Sequence, residues 1–425
     1  MLLKNTTYQV NSQHTDVCII GGGIIGLFSA YYLQKEGYSV TILDKGPKER
    51  ASSHANCGMI SPSHILPLNS PSLILKSIKW LFEKDAPFYI QPRIDLNLWS
   101  WLLKFTFNAT HKNRMKNLAA RHLVCNSSRE LYHQIMKEED LECNWRPDGY
   151  LFLYKTEKAF EAFRQENDFL KDFGYTAKSY QGADLQAFEP AVREDIHGAW
   201  FQPLDGWLKP DELVTAVEKV IIKNGATIIN DCEVVSFEGN GHIKSVKTDD
   251  GKAFSAKHFI LAGGAMTPLL KKSTKLNIPI VPAKGYSITM KSPSIMPKYP
   301  LKMAERKVVA TPFENSFRLG STLEFVGYDT SLNRRRIEAL KSGASEYIKE
   351  AYTDEIYEEW SGWRPMTPDA VPIIDRSPVH KNLWLACGHN MLGVTMAPAT
   401  GKLISALVAN KETHIDAKPF GFSRF

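Results

Sequence analysis

The hydrophobic pattern is most regular near the start of the chain. Asp16–Ile20 is an apolar run of strand length that passes into Gly21-Gly22-Gly23-Ile24-Ile25-Gly26, and a helical pattern then reaches Glu36 and is closed by Gly37. A second short apolar run, Ser39–Leu43, ends on Asp44. This order predicts strand, tight turn, helix, strand. Farther on, Gly149–Tyr154, Glu233–Phe237, Phe259–Ala265 and Asn382–Ala386 read as strands, and Ile278–Glu324 holds several more runs of strand length. Residues from Leu66 to Asp205 alternate aromatic-rich helical patterns with the strand at 149. Gly393–Ala409 reads as a helix, with Pro398 near its start where proline is tolerated. The fold class is α/β: a Rossmann-type domain of helices around a sheet, joined to an α+β domain with a mixed sheet.

The first unit carries chemistry. Gly21 permits the turn, Gly23 lets a pyrophosphate approach the backbone, and Gly26 lets the helix lie close to the strand. The helix N-terminus offers free N–H groups and partial positive charge to phosphate. Asp44, eighteen positions beyond Gly26, stands where a dinucleotide fold places the acid that binds a ribose hydroxyl. A single fingerprint is present, so the pattern leaves FAD or NAD open, not both through separate Rossmann units.

At 425 residues the chain suits two domains. Its 52 basic and 46 acidic residues name no partner, and the basic run at Lys104, Lys112, Arg114, Lys116 and Arg121 reads as a solvated face rather than a nucleic-acid site. Six cysteines without paired or zinc-type spacing read as reduced thiols in a cytoplasmic protein with neither metal nor disulfide framework. No 18-residue apolar run and no signal-peptide core occur, and the Asn108 and Asn126 glycan sequons read as accidental.

After Asp44 comes a small-residue loop, Ala51-Ser52-Ser53-His54-Ala55-Asn56-Cys57-Gly58-Met59-Ile60-Ser61-Pro62. This loop, Lys284-Gly285-Tyr286-Ser287, Arg364-Pro365-Met366-Thr367-Pro368-Asp369 and Gly388-His389-Asn390-Met391-Leu392-Gly393-Val394-Thr395 resemble, in order, the motifs of the D-amino-acid dehydrogenase family within the D-amino-acid oxidase and glycine oxidase superfamily. The resemblance spans nearly the whole chain. It implies an FAD-binding domain from residues 14–65, 206–272 and 358–425, and a substrate domain from 66–205 and 273–357. It also implies FAD contacts from Gly21, Gly23, Ile24, Ile25, Gly26, Asp44, Lys45, Ser52, Ser53, Asn56, Gly58, Met59, Val234, Ala262, Gly263, Gly388, Leu392, Gly393, Val394 and Thr395. Ser52 and Ser53 would bond the pyrophosphate, Gly58 and Met59 would lie along the flavin, and the Val234 backbone would meet the adenine. The N–H groups of Gly393, Val394 and Thr395 would stabilise charge on the reduced ring. Family members with covalent flavin carry a cysteine where Gly362, Trp363 and Arg364 stand, so FAD is expected to be non-covalent.

The implied reaction is hydride transfer from the Cα of a D-amino acid to flavin N5, giving a 2-oxo acid and ammonia. A guanidinium with two parallel donors suits the substrate carboxylate, and the resemblance gives that role to Arg364. Some oxidases place a tyrosine at the position of Val309, and Tyr286 is the candidate replacement. His389 matches a backbone turn and is not expected to act as a base. Cyclic imino acids such as D-proline, glycine and sarcosine remain alternative substrates. An FAD hydroxylase lacks support because its late Gly-Asp-Ala motif is missing, and a non-catalytic scaffold would have no use for Arg364.

Family dehydrogenases pass electrons to a respiratory acceptor such as a quinone, and oxidase chemistry also remains open here. Ser77–Phe82 and Leu98–Phe105 mix tryptophans with lysines, which reads as core or subunit packing or as a peripheral contact on the inner face of the cytoplasmic membrane.

Overall fold

The computed structural model describes residues 15–69, 88–91 and 93–425. Its first layer is a six-stranded sheet centred on Thr15–Ile20, which pairs in parallel with Val40–Leu43 on one side and Ala256–Leu261 on the other. Leu383–Cys387 extends it in parallel, and Ile373–Arg376 closes that edge antiparallel. Helices cover one face of this sheet and a three-stranded antiparallel sheet over residues 234–254 packs on the other, so its strands are apolar on both faces, which is why they stand out in sequence as continuous runs.

Two helices share one face of the sheet: Ile24–Lys35, which leaves the glycine turn, and Gly393–Val408, which follows the last parallel strand. Gly401 makes their contact close, because a Cβ there would overlap the Phe28 carbonyl. Pro398 lies inside the second helix and cannot donate to the carbonyl of Val394 four residues back. The Tyr132 hydroxyl donates to that carbonyl instead, at 2.7 Å, from the long helix His111–Glu139. The proline is thus accommodated by a partner 262 residues away in sequence.

A mixed nine-stranded sheet forms the second layer. Its central strands, Val281–Met290 and Ser316–Phe325, run antiparallel, with Val308–Phe313 and Leu301–Met303 beyond them and Tyr150–Tyr154 parallel to the latter. The boundary drawn at 358 from sequence needs correction. Ile356–Met366 pairs with Val281–Met290 along its length, Met366 opposite Val281 and Ile356 opposite Met290, so the strand carrying Arg364 is an edge of this second sheet.

One face of the second sheet holds the loop after Asp44 by three consecutive carbonyls. Ser287 Oγ donates to Ala55 O at 2.7 Å, Arg318 Nη1 to Asn56 O at 2.9 Å, and Thr311 Oγ1 to Cys57 O at 2.8 Å. Arg318 is almost wholly buried, and its Nε donates to Thr289 Oγ1. Gly320 sits under the loop because any Cβ would press on the Cys57 sulfur, 2.5 Å away. The loop is therefore a fixed floor between the two sheets.

Candidate active site

Between the layers lies a cleft of about 1820 Å³. Small-molecule sites run to roughly 1,000 Å³, so this one has room for a dinucleotide and a substrate together. Eighteen of the twenty-two site residues expected from sequence line it; Gly26, Gly58, Gly388 and Thr395 stand behind the wall. Gly26 and Gly58 are packing glycines: a Cβ would overlap the carbonyl oxygens of Gly21 and Leu208, respectively. Gly388 has φ +77° and shapes the turn into the second helix. Thr395 ties that helix to the loop, donating from Oγ1 to Met59 O at 3.1 Å and accepting from Ser61 N–H at 3.2 Å.

The nucleotide end is built for a polyanion. Gly21 has φ +111°, which only glycine adopts without strain, and its Cβ would crowd the Ala262 carbonyl at 2.5 Å. Gly23 differs: its φ is −71°, and the nearest protein atom to an added Cβ is Ser53 Oγ at 3.5 Å. The protein itself does not require glycine there, but a phosphate lying against the helix N-terminus would. Ser53 Oγ accepts from Ile24 N–H at 3.1 Å, leaving its own proton free to donate to such a phosphate. Asp44 accepts from Gly22 N–H at 2.6 Å and Gly46 N–H at 3.2 Å, which aims the carboxylate at the cleft beside Val234. The N-termini of both face-sharing helices reach the cleft through Ile24, Ile25, Gly393 and Val394. Ser52 also lines it, but its hydroxyl donates to Trp363 O at 2.5 Å rather than standing free. Asn56 holds the loop's shape, accepting from Gly58 N–H at 2.9 Å.

Arg364 lies where the floor meets the second sheet. Its guanidinium spreads across Gly285, and a Cβ on that residue would overlap it, so the glycine makes the berth. Nη1 donates to Thr322 O at 2.9 Å, and the side chain has no ion pair among the described residues. Burial lowers its pKa, partly offset by the neighbouring Cys57 thiol. A desolvated guanidinium without a carboxylate is costly unless a ligand supplies one. The strand is locked to the helix turn beyond it: Thr367 N–H donates to Asn390 Oδ1 at 3.0 Å, and Asn390 N–H to Pro365 O at 3.1 Å.

Tyr286 is a correction. Strand alternation turns it to the face opposite Gly285 and Arg364, and its hydroxyl donates to Glu324 Oε2 at 2.7 Å within a buried network that includes Arg336. It stiffens the back of the strand and offers the substrate no hydroxyl. His389 borders the cleft, but burial pushes its pKa down to about 3 and Nε2 pairs with Thr400 Oγ1 at 2.9 Å, so it is neutral and engaged.

Several residues escaped sequence reasoning. Arg121, read as part of a solvated face, is buried and donates to the carbonyls of Ile65, Ala370 and His64 at 2.7, 2.9 and 2.6 Å. Asp205 accepts from Ser63 N–H and Oγ, and burial still raises its pKa to about 7. Lys302 enters the cleft with its pKa lowered to about 7 by burial and by Lys307, against Glu166 and Asp205. The one sequence signal for Arg318 and Lys302 is a lone charge flanked by apolar residues inside a strand pattern, Phe-Arg-Leu and Leu-Lys-Met.

A glycine-turn sheet, two helix N-termini and a fixed loop facing a sheet whose Arg364 has no acidic partner among the described residues define a flavin-dependent oxidoreductase. Residues 16–407 match the DAO family of FAD-dependent oxidoreductases, and the chain belongs to that family. It is 30% identical over 417 residues to a protein named D-amino acid dehydrogenase from Vibrio atlanticus (strain LGP32), covering 96% of this chain and all of that one. Among solved structures it resembles glycine oxidase from Geobacillus kaustophilus at a TM-score of 0.76 and 22% identity, covering 97% of this chain and 99% of that one. It also resembles L-proline dehydrogenase from P. horikoshii at 0.73 and 20%, covering 97% and 98%. Both the fold class and the FAD dependence expected from sequence are borne out.

Proposed function

We propose that the protein oxidises D-α-amino acids to 2-imino acids, which water converts to 2-oxo acids and ammonia, and that the electrons pass to a membrane quinone. The observation that carries this reading is Arg364, a desolvated guanidinium with one backbone partner, exposed to the cleft. The name of the Vibrio relative supports the D configuration. FAD would be held by Gly23, Ser53, Asp44 and the start of the Gly393 helix, and when bound it supplies the two-electron acceptor for the substrate Cα hydride. Arg364 binds the α-carboxylate through paired N–H donors and so sets which Cα substituent faces the cofactor. The loop over 55–57, pinned from three side chains, keeps that geometry rigid. His389, held neutral, takes no proton.

The acceptor is read from the helix Leu96–Phe107. Leu96, Trp99, Leu103 and Phe107 recur every three or four positions and are 81, 57, 74 and 71% exposed, with Ile94 98% exposed just before them. Exposed Lys112 and Lys116 follow on the next helix. An apolar stripe beside lysines suits insertion into an anionic membrane surface. The companion segment Ser77–Phe82 lies outside the described residues. No helix among the described residues is long and apolar enough to cross a membrane.

The test is turnover of D-alanine by the holoenzyme with anionic vesicles containing ubiquinone. The protein is expected to float with the vesicles and to reduce the quinone without oxygen. A variant with Trp99→Ser, Leu103→Ser and Phe107→Ser should lose both while keeping turnover with a soluble dye. Hydrogen peroxide formed in air at the rate of dye reduction, with no flotation, would make the protein an oxidase instead.

A further inference from the structure

The carbonyl to which Arg364 donates belongs to a strained residue. Ser321 pairs with Tyr286 and Glu324 with Lys284, so three steps along one strand face two along the other, and the extra residue makes a β-bulge opposite Gly285. Thr322 stands in that bulge with φ +65°. The left-handed region suits glycine, and a β-branched residue is held there only under strain.

The bulge has two effects. It interrupts the ladder, and the Thr322 carbonyl accepts from Arg364 Nη1 at 2.9 Å, with Gly285 between them. It also shifts the alternation of the strand. Glu324 shares the back face with Tyr286, to which it is bonded, while Thr322 and Leu323 line the cleft.

Thr322 is 9% exposed, and its Oγ1 is buried with no hydrogen-bond partner among the described residues. The hydroxyls around it are committed: Ser287 donates to Ala55 O, Thr311 to Cys57 O, Ser52 to Trp363 O and Tyr286 to Glu324. A buried hydroxyl without a partner is destabilising, and so is the backbone that carries it. Glycine would relieve the strain and valine would remove the hydroxyl, yet threonine occupies the position. Both penalties fall on the residue that holds the arginine, where a ligand on that arginine gives the hydroxyl a use. A carboxylate has about four lone-pair sites, so it can accept the two parallel N–H groups of a guanidinium and a hydroxyl besides.

We propose that Thr322 is a second substrate-binding residue, its Oγ1 donating to the carboxylate that Arg364 binds. This rests on the amino-acid reading above and adds a contact to it. A carboxylate on the arginine fork alone still hinges about the line through its two oxygens. A third donor, from a different strand, limits that hinge and with it the swing of the Cα–H bond.

The experiment compares the holoenzyme with its Thr322→Val and Thr322→Ser variants in three measurements: thermal unfolding without ligand, titration of butyrate against the flavin absorbance, and anaerobic flavin reduction by D-alanine. Thr322→Val keeps the branched shape and removes the unpaired hydroxyl, so it should unfold at the same temperature or higher. It should nevertheless bind butyrate about tenfold more weakly, the loss of one hydrogen bond to a charged group, and reduce its flavin more slowly at saturating D-alanine. Thr322→Ser keeps the donor and should stay within about threefold of the unmodified protein in both. A residue that served packing alone would move stability and leave butyrate affinity where it was. Unchanged butyrate affinity in Thr322→Val, with D-alanine still reducing the flavin of the unmodified protein, would overturn the contact and leave the amino-acid reading standing. Failure of every amino acid to reduce the flavin of the unmodified protein would overturn both. Should the valine variant not fold, Thr322→Gly, which suits the left-handed backbone, replaces it: equal butyrate affinity in the glycine and serine variants would overturn the contact.

Discussion

Replacing Arg364 by alanine is expected to lower kcat/KM for α-amino acids by about a thousandfold, a loss of about 4 kcal/mol. The magnitude follows from what the guanidinium lacks. It is desolvated, bonded to one carbonyl and without an acidic partner among the described residues, so a substrate carboxylate would gain both charge pairing and two parallel hydrogen bonds. Removing one member of such a buried pair costs about 3–5 kcal/mol. Because the contact sets the angle of the Cα–H bond, kcat should fall along with affinity. Arg364→Lys keeps the charge but loses the planar fork, and should recover part of the affinity and little of kcat. Tyr286→Phe serves as the control: its hydroxyl is bonded to Glu324 on the other face, so turnover should stay within about twofold. Steady-state kinetics with a soluble dye measures all three. Unchanged kcat/KM in the alanine variant would remove Arg364 from the site.

The second large effect concerns two glycines of one turn that should fail in different ways. At Gly23 the backbone is extended and an added methyl would find its nearest protein neighbour at 3.5 Å. Gly23→Ala should therefore fold with the stability of the apoprotein and yet bind FAD about a hundredfold more weakly, the methyl filling the space of the pyrophosphate. At Gly26 the methyl would overlap the Gly21 carbonyl and push the helix off its strand. Gly26→Ala should lose about 3 kcal/mol or more of stability whether or not FAD is present. Flavin titration combined with thermal unfolding of the apoproteins separates the two. Full FAD affinity in Gly23→Ala would mean that the phosphate does not lie on this helix N-terminus.

What the sequence made legible was local. The β-α-β unit could be read because its strands are buried on both faces and its turn needs glycines at fixed spacing, both properties of adjacent residues. Arg364 could be placed only by resemblance, since a strand arginine before proline is not in itself distinctive. Its sheet was misassigned because pairing with Val281–Met290 joins segments some 75 residues apart, and no local pattern encodes the choice of partner. Tyr286 shows the cost of a one-residue question: a motif match fixes the position, while strand alternation decides which face the hydroxyl serves. Arg121 resembled a surface charge because its helix carries exposed lysines nearby, but its three carbonyl partners come from two distant loops.

The most direct test of the central claim is anaerobic mixing of the FAD-loaded protein with a panel of D- and L-amino acids, cyclic imino acids, glycine and sarcosine, following the flavin absorbance. The account predicts bleaching by D-amino acids and none by their L enantiomers. Bleaching by L-amino acids alone, or by no member of the panel with flavin fully bound, would contradict it.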